Sequence, residues 1–158
     1  MGFTAVSDTG PVLHLHEIKA LDSLRIAKAC TTHEVAAELA AKRVPCPLPA
    51  RKANAEFTTL MGDKYDIALA EASCISLCKT EHISLMFTDD LAARAAANAE
   101  GLEARGTIGI LLRSYREGNA SKQQTLTRLR TLKRESTLFI TQALIDEAVK
   151  AVQNHKRR

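Results

Sequence analysis

The chain has no tryptophan, and its other aromatics are sparse: four Phe and two Tyr in 158 residues, or 4% aromatic. Its core must therefore be built from Ala, Leu, Ile and Val, and a nucleic-acid site built on stacked aromatic platforms is not expected. Long hydrophobic runs are also missing. No stretch approaches the ~20 apolar residues of a membrane-spanning helix. The opening Met1-Gly2-Phe3-Thr4-Ala5-Val6 lacks the basic and long apolar regions of a secretory signal. Val6 stands where a myristoylation signal has Ser or Thr. These absences lead us to expect a cytoplasmic protein with no membrane partner. There are four cysteines, Cys30, Cys46, Cys74 and Cys78, and no CxxC pair or nearby His completes a zinc site. Reduced, buried thiols are the expectation. A Walker loop, a GxGxxG turn and a Ser-His-Asp elbow are absent too.

What remains is ordinary for one domain: 46% hydrophobic and 25% charged residues, with a formal net charge of +4. The charge is unevenly placed. Residues 1–112 carry 11 basic and 14 acidic side chains, whereas residues 113–158 carry 11 and 4. A basic C-terminal third suits a polyanion such as RNA. On charge alone, a solvated helical surface with a basic tail (Asn154-His155-Lys156-Arg157-Arg158) is the favoured reading.

Strand and helix signals alternate along the chain. Phe3–Ser7 reads as a buried strand ending at Asp8. Pro11 suits the first turn of a following helix, and Val12–Ile18 and Ala20–Ala29 read as two short helices. Thr31 and Glu34 have capping-box spacing, which opens a helix through Val35–Lys42. Three of the four prolines fall in residues 44–49, so this stretch is a rigid extended excursion, and the irregular appearance continues to residue 65. Asp66–Lys79 is a strong amphipathic helix, Ser84–Thr88 a second buried strand ending at Asp89-Asp90, and Leu91–Glu100 an Ala-rich helix stopped by Gly101. Leu102–Arg105 is a candidate third strand. Helices are expected over Ile110–Arg116, Ser121–Arg134 and Thr141–Gln153. The alternation predicts an α/β fold with a parallel sheet sandwiched by helices. We expect one domain, with a core over about 1–115 and basic C-terminal helices over about 116–153. Such sheets carry their sites at the C-terminal edge of the strands.

Two strands end in acid there, at Asp8 and at Asp89-Asp90. Singly, each acid is most simply a helix N-cap. Together, carboxylates gathered at one edge repel, and a cation compensates them. Oxygen-rich sites suit Mg²⁺ or Mn²⁺. His14 and His16, two residues apart, point in different directions on a helix and are not expected to share a metal.

The segment Ser7-Asp8-Thr9-Gly10-Pro11-Val12-Leu13 resembles the opening strand and turn of PIN-domain nucleases. Val35-Ala36-Ala37-Glu38 resembles their V-x-x-E element, and Thr88-Asp89-Asp90-Leu91-Ala92-Ala93-Arg94 their T-D-D-x-x-A-R segment. Gly106-Thr107-Ile108-Gly109-Ile110-Leu111-Leu112 resembles a landmark of a sub-branch related to VapC toxins. No single motif is specific; the four in this order, over roughly the first 115 residues, are more so. The resemblance implies a metal-dependent endoribonuclease with Asp8, Glu38, Glu71 and Asp90 as catalytic acids. The metal ligands would be these four and Asp89, with Asp66 as the alternative third acid. Thr9, Thr88 and Arg94 would support them. It also implies Mg²⁺ or Mn²⁺ as cofactor, an RNA substrate, an antitoxin protein as partner and a homodimer. Gly10 departs from the sub-branch, which has Ser there. Two rival readings stand beside this one. One is a non-catalytic module that binds RNA or protein, with the acids as caps. The other is a small phosphohydrolase, disfavoured because Asp8 is not followed two residues later by a second Asp.

Overall fold

The computed structural model describes residues 2–155, so Lys156-Arg157-Arg158, the end of the basic tail, lies outside the described residues. Five short strands form one sheet: β1 (Ala5–Ser7), β2 (Ala29–Thr32), β3 (Ala50–Arg51), β4 (Leu85–Phe87) and β5 (Glu103–Arg105). Their order is β3-β2-β1-β4-β5, and every neighbouring pair is parallel. β1 is buried along its whole length, as a central strand covered on both faces must be. From β1 the chain builds outward in one direction through β2 and β3, then returns to the other side for β4 and β5. The order therefore reverses between β1 and β4, the topological switch point at which α/β sheets open a crevice.

Eight α-helices accompany the sheet among the described residues: α1 (Thr9–Glu17), α2 (His33–Ala41), α3 (Ala55–Tyr65), α4 (Leu69–Thr80), α5 (Leu91–Ala99), α6 (Thr107–Arg116), α7 (Lys122–Glu135) and α8 (Gln142–Asn154). α4 lies against β1, β2 and β4. Its Ala70 and the unbroken run Ala72–Cys78 are buried, which explains the concentration of small residues there: Ala, Ser and Cys let a helix approach a sheet closely. α7 and α8 pack on each other and on α6. All four cysteines are unpaired thiols. Burial pushes the Cys30 thiol up to about 11 and that of Cys78 up to about 12, so both stay protonated and packed.

The structure corrects the expected elements in four places. Ala20–Ala29 is not a helix: a 3-10 turn over Leu21–Ile26 is followed by β2. Ala29–Thr32 is buried throughout and ends in two β-branched Thr, which favours a strand. The cap consequently moves by one residue. Thr32, not Thr31, accepts the Val35 N–H at 3.2 Å, while Thr31 donates its hydroxyl to the Ser7 carbonyl. Glu34 therefore closes no capping box, and its Oε2 is buried without a hydrogen-bond partner. The supposedly irregular stretch to residue 65 contains β3 and α3, the latter capped by Asn54, whose side chain accepts the Phe57 N–H at 2.8 Å. Finally, Asp66 does not open a helix. It ends α3 in the left-handed region (φ 52°), and α4 begins only at Leu69. The C-terminal helices also differ in charge: α7 is basic, but α8 carries Asp146 and Glu147 against Lys150 alone.

Candidate active site

At the switch point the ends of β1 and β4 stand side by side. The register pairs Ser7 with Phe87, and the Asp8 N–H continues the ladder to the Phe87 carbonyl at 2.8 Å. Asp8 is thereby fixed where β1 becomes α1. Its Oδ1 accepts the Thr9 N–H at 2.8 Å, and its Oδ2 accepts the Thr88 hydroxyl at 3.0 Å. Thr88 thus ties the two strand ends together through the carboxylate. The side chain is only 5% exposed for a charged residue.

Four other acids reach the same cavity of about 310 Å³, Asp89 among them. Glu38 comes from the middle of α2. Glu71 comes from the first turn of α4, where Oε2 accepts the Ala68 N–H at 2.8 Å. Asp90 is the N-cap of α5, its Oδ1 accepting the Ala93 N–H at 2.8 Å. Asp66, the alternative third acid, is exposed at the far end of α3 and is not part of this cavity.

The electrostatics record the crowding. Burial pushes the Asp8 carboxyl from its usual 3.8 up to about 7. Repulsion from Glu71 and Glu38 adds to the rise, and the hydrogen bonds from Thr9 and Thr88 oppose it. Glu71 is raised as well, first by burial, then by Asp90 and Glu38, against the pull of the Ala68 N–H. The charges of Glu38, Glu71 and Asp90 thus act across the hollow, on Asp8 and on Glu71 itself. Perturbed acids gathered in a cleft mark a functional site more often than a structural one.

Asp89 stands differently. Its Oδ1 accepts the Thr107 N–H at 2.7 Å, and its Oδ2 accepts the Thr107 hydroxyl at 2.6 Å and bonds His14 Nδ1 at 2.7 Å. It touches the cavity, yet its oxygens already clamp the start of α6 and the side of α1. Gly106 is needed beside this clamp: a Cβ there would meet an Arg94 Nη at 2.5 Å and Asp89 Oδ1 at 2.7 Å. At Gly10 a Cβ would come within 3.3 Å of Asp89 Cβ, so the missing Ser of the sub-branch is tied to how closely Asp89 approaches α1. Arg94 donates to the Thr88 carbonyl at 3.2 Å. This bond holds the end of β4 instead of pairing Arg94 with an acid. The Thr9 hydroxyl is buried without a partner at the edge of the cavity.

His14 and Lys42 also line the cavity, and the sequence pattern did not single them out for it. Lys42 lies one turn beyond Glu38 on α2, so helical spacing puts the two on one side. His14 lies one turn beyond Gly10, so the same spacing sets it above the Asp8 turn.

As the side chains stand, no three His, Cys, Asp or Glu groups among the described residues converge closely enough to hold an ion. The donor set itself suits a hard divalent cation: all four acids offer oxygen, and Glu38 has no protein partner among the hydrogen bonds of the site.

An all-parallel α/β sheet with an acid cavity at its switch point defines a class of protein, and the chain's kinship specifies it. The family model DUF3368, described as a PIN domain, matches residues 4–154. The chain belongs to the PIN-domain family, whose members are generally nucleases. Neither the curated proteins nor the solved structures give a significant match. Among the described residues, no helix is long and apolar enough to cross a membrane.

Proposed function

We propose that this chain is a divalent-metal-dependent endoribonuclease that hydrolyses phosphodiesters at the Asp8–Glu38–Glu71–Asp90 cavity. The observation that carries the reading is the convergence of these four carboxyls on one hollow around Asp8, which is buried and raised to about 7. Unbalanced burial of this kind costs stability, and a cation removes the cost. Mg²⁺ or Mn²⁺ held by these acids would acidify a water and offset charge on the scissile phosphate. Asp8 is oriented by Thr9 and Thr88. The Glu38 carboxylate, without a hydrogen-bond partner among the described residues, is free to position a water. Lys42 sits where it meets a phosphate entering the cavity. No side-chain nucleophile is required. The VapC-like toxin role, the antitoxin partner and the homodimer belong to this proposal and rest on the four ordered sequence motifs.

The test is cleavage of a mixed RNA pool with Mn²⁺ and with EDTA, by wild type and Asp8→Asn. Cleavage that needs both metal and Asp8 supports the reading, whereas unchanged activity in the variant sinks the assignment. One observation favours the second reading, a non-catalytic RNA- or protein-binding module: Asp8, Glu71 and Asp90 each also satisfy a backbone N–H at a helix start. Calorimetric titration with Mn²⁺ separates the two, because caps alone bind no cation.

A further inference from the structure

We infer that a hollow at the N-terminal edge of the sheet binds a small amphipathic anion, a carboxylate or similar head on an apolar body. The hollow holds about 480 Å³, within the roughly 300–1,000 Å³ of small-molecule sites. Phe3 enters it just before β1, Lys28 just before β2, and Pro47-Leu48-Pro49 just before β3. These three strands are parallel. The residues that precede them therefore meet at one edge, opposite the edge where Asp8 emerges. The proline-rich excursion thereby acquires a task, as one wall of this hollow. The other wall is fastened by two hydrogen bonds: the Thr4 N–H donates to the Lys28 carbonyl at 2.8 Å, and the Lys28 N–H to the Thr4 hydroxyl at 3.0 Å. No residue of this hollow also lines the carboxylate cavity, so the inference does not rest on the nuclease reading.

Buried Leu24 and half-buried Leu21 and Leu48 give the hollow its apolar surface. Three charged side chains reach it: Asp22, Arg25 and Lys28. Asp22 is already compensated by Arg128, whose Nη2 donates to both carboxylate oxygens at 2.9 and 3.2 Å. Arg25 and Lys28 are exposed, and neither forms an ion pair among the described residues. The Lys28 ammonium stands 5.6 Å from the centre of the Phe3 ring, so its charge sits directly beside apolar surface. The Arg51 guanidinium, 5.5 Å from the same ring, is taken by Glu81 at 3.6 Å. Two uncompensated cations beside an apolar hollow favour an anion and disfavour a cation. The wall also disfavours a peptide strand. Pro47 and Pro49 have no N–H to offer. The Leu48 carbonyl accepts the Cys46 thiol at 3.6 Å, and the Pro49 carbonyl accepts the Thr31 N–H at 2.9 Å. A docked strand is held by main-chain hydrogen bonds that this wall has largely spent, whereas an apolar body with one charged head needs none of them.

The probe is anilinonaphthalene sulfonate, an aromatic anion that brightens in apolar surroundings, with decanoate, decanol and decyltrimethylammonium as competitors. The expected result is saturable brightening from a single site per chain. Decanoate displaces the dye, decanol does so more weakly, and the cation does not. Arg25→Glu with Lys28→Glu weakens decanoate by about 10- to 100-fold, the loss of a charge-assisted contact, and leaves thermal unfolding without ligand unchanged because both side chains are exposed. Arg25→Gln with Lys28→Gln, a milder change, weakens decanoate in the same direction. Phe139→Ala leaves the signal as it is, which shows that the dye does not sit on that exposed ring. Equal affinity for decanoate in wild type and the charge-reversed chain overturns the inference, as does decanol binding as tightly as decanoate. Absence of saturable binding overturns it too. Displacement of the dye by a peptide of alternating Asp and Leu, where decanoate fails to displace it, makes the hollow a protein-docking groove and overturns it as well.

Discussion

Asp89 and Asp90 are adjacent in the chain, and their carboxylates serve different helices: Asp90 accepts the Ala93 N–H at the head of α5, and Asp89 the Thr107 N–H at the head of α6. Because only Asp90 has one oxygen without a hydrogen bond, the two residues should respond differently to the same change. Asp89→Asn leaves an NH₂ where the Thr107 hydroxyl and His14 need an acceptor. It should cost about 1–3 kcal/mol. Asp90→Asn keeps a good cap and should be nearly neutral for stability while weakening Mn²⁺ binding. Urea unfolding in EDTA and Mn²⁺ calorimetry on both variants check this. Loss of stability in Asp90→Asn alone would reverse the assignment.

The metal-free protein should lose stability as pH rises. The Asp8 carboxyl sits at about 7 in the fold against a usual 3.8, so the folded state holds its proton longer than the unfolded chain does. Its contribution is intact below about pH 4 and is lost on the way to about pH 7, by at most ~4 kcal/mol. Glu71 is shifted in the same direction. In EDTA, Asp8→Asn should flatten this slope and be the more stable protein at pH 8. Adding Mn²⁺ should then stabilise wild type and leave the variant unmoved. A wild-type profile that is flat between pH 4 and 8 would contradict the burial of this group.

Glu71 and Asp66 offer a clean contrast. Glu71→Gln retains an acceptor for the Ala68 N–H and should lose metal-dependent cleavage. Asp66→Asn should leave cleavage and stability alike, since Asn tolerates the left-handed backbone that Asp66 adopts. Single-turnover cleavage rates with Mn²⁺ decide between them, and a dead Asp66→Asn enzyme would return that residue to the site.

Gly106→Ala tests the clamp from its other side. The added methyl meets Arg94 and Asp89, and overpacking of this sort costs about 1–3 kcal/mol. Arg94 can swing away at its tip, but Asp89 is held by three hydrogen bonds. Arg94→Ala in the same chain should therefore restore only part of the loss. Complete rescue in thermal unfolding of the double variant would mean that Asp89 yields freely.

The parts of the fold legible in the sequence were those with strong local patterns: β1 and β4 as apolar runs ending in acid, α4 as a long apolar face, Gly101 as a stop. From these the parallel sheet and its acidic edge followed. β2 was missed because Ala29–Thr32 is short and small, and its strand character comes from lying between β1 and β3, which is not a local property. α3 was hidden by Thr58, Thr59 and Gly62, poor helix formers, although Asn54 signalled its start. At the site, Asp8, Glu38 and Asp90 lie in the ordered motifs, whereas Glu71 was reached only by its spacing to Asp89, with Asp66 left open; the structure puts Glu71 and not Asp66 beside the cavity. The separate task of Asp89 was invisible, because Thr107 and His14 reach it only through tertiary contact across 18 and 75 residues.

The cavity draws its acids from four segments, the last at residue 90, and β4, which delivers that last acid, is also the strand that holds β1 from one side. No fragment of the chain short of β4 can assemble the hollow, and any opening between β1 and β4 disperses it. Competence at this site is therefore a property of the closed sheet and not of any one segment: it needs β1 and β4 side by side.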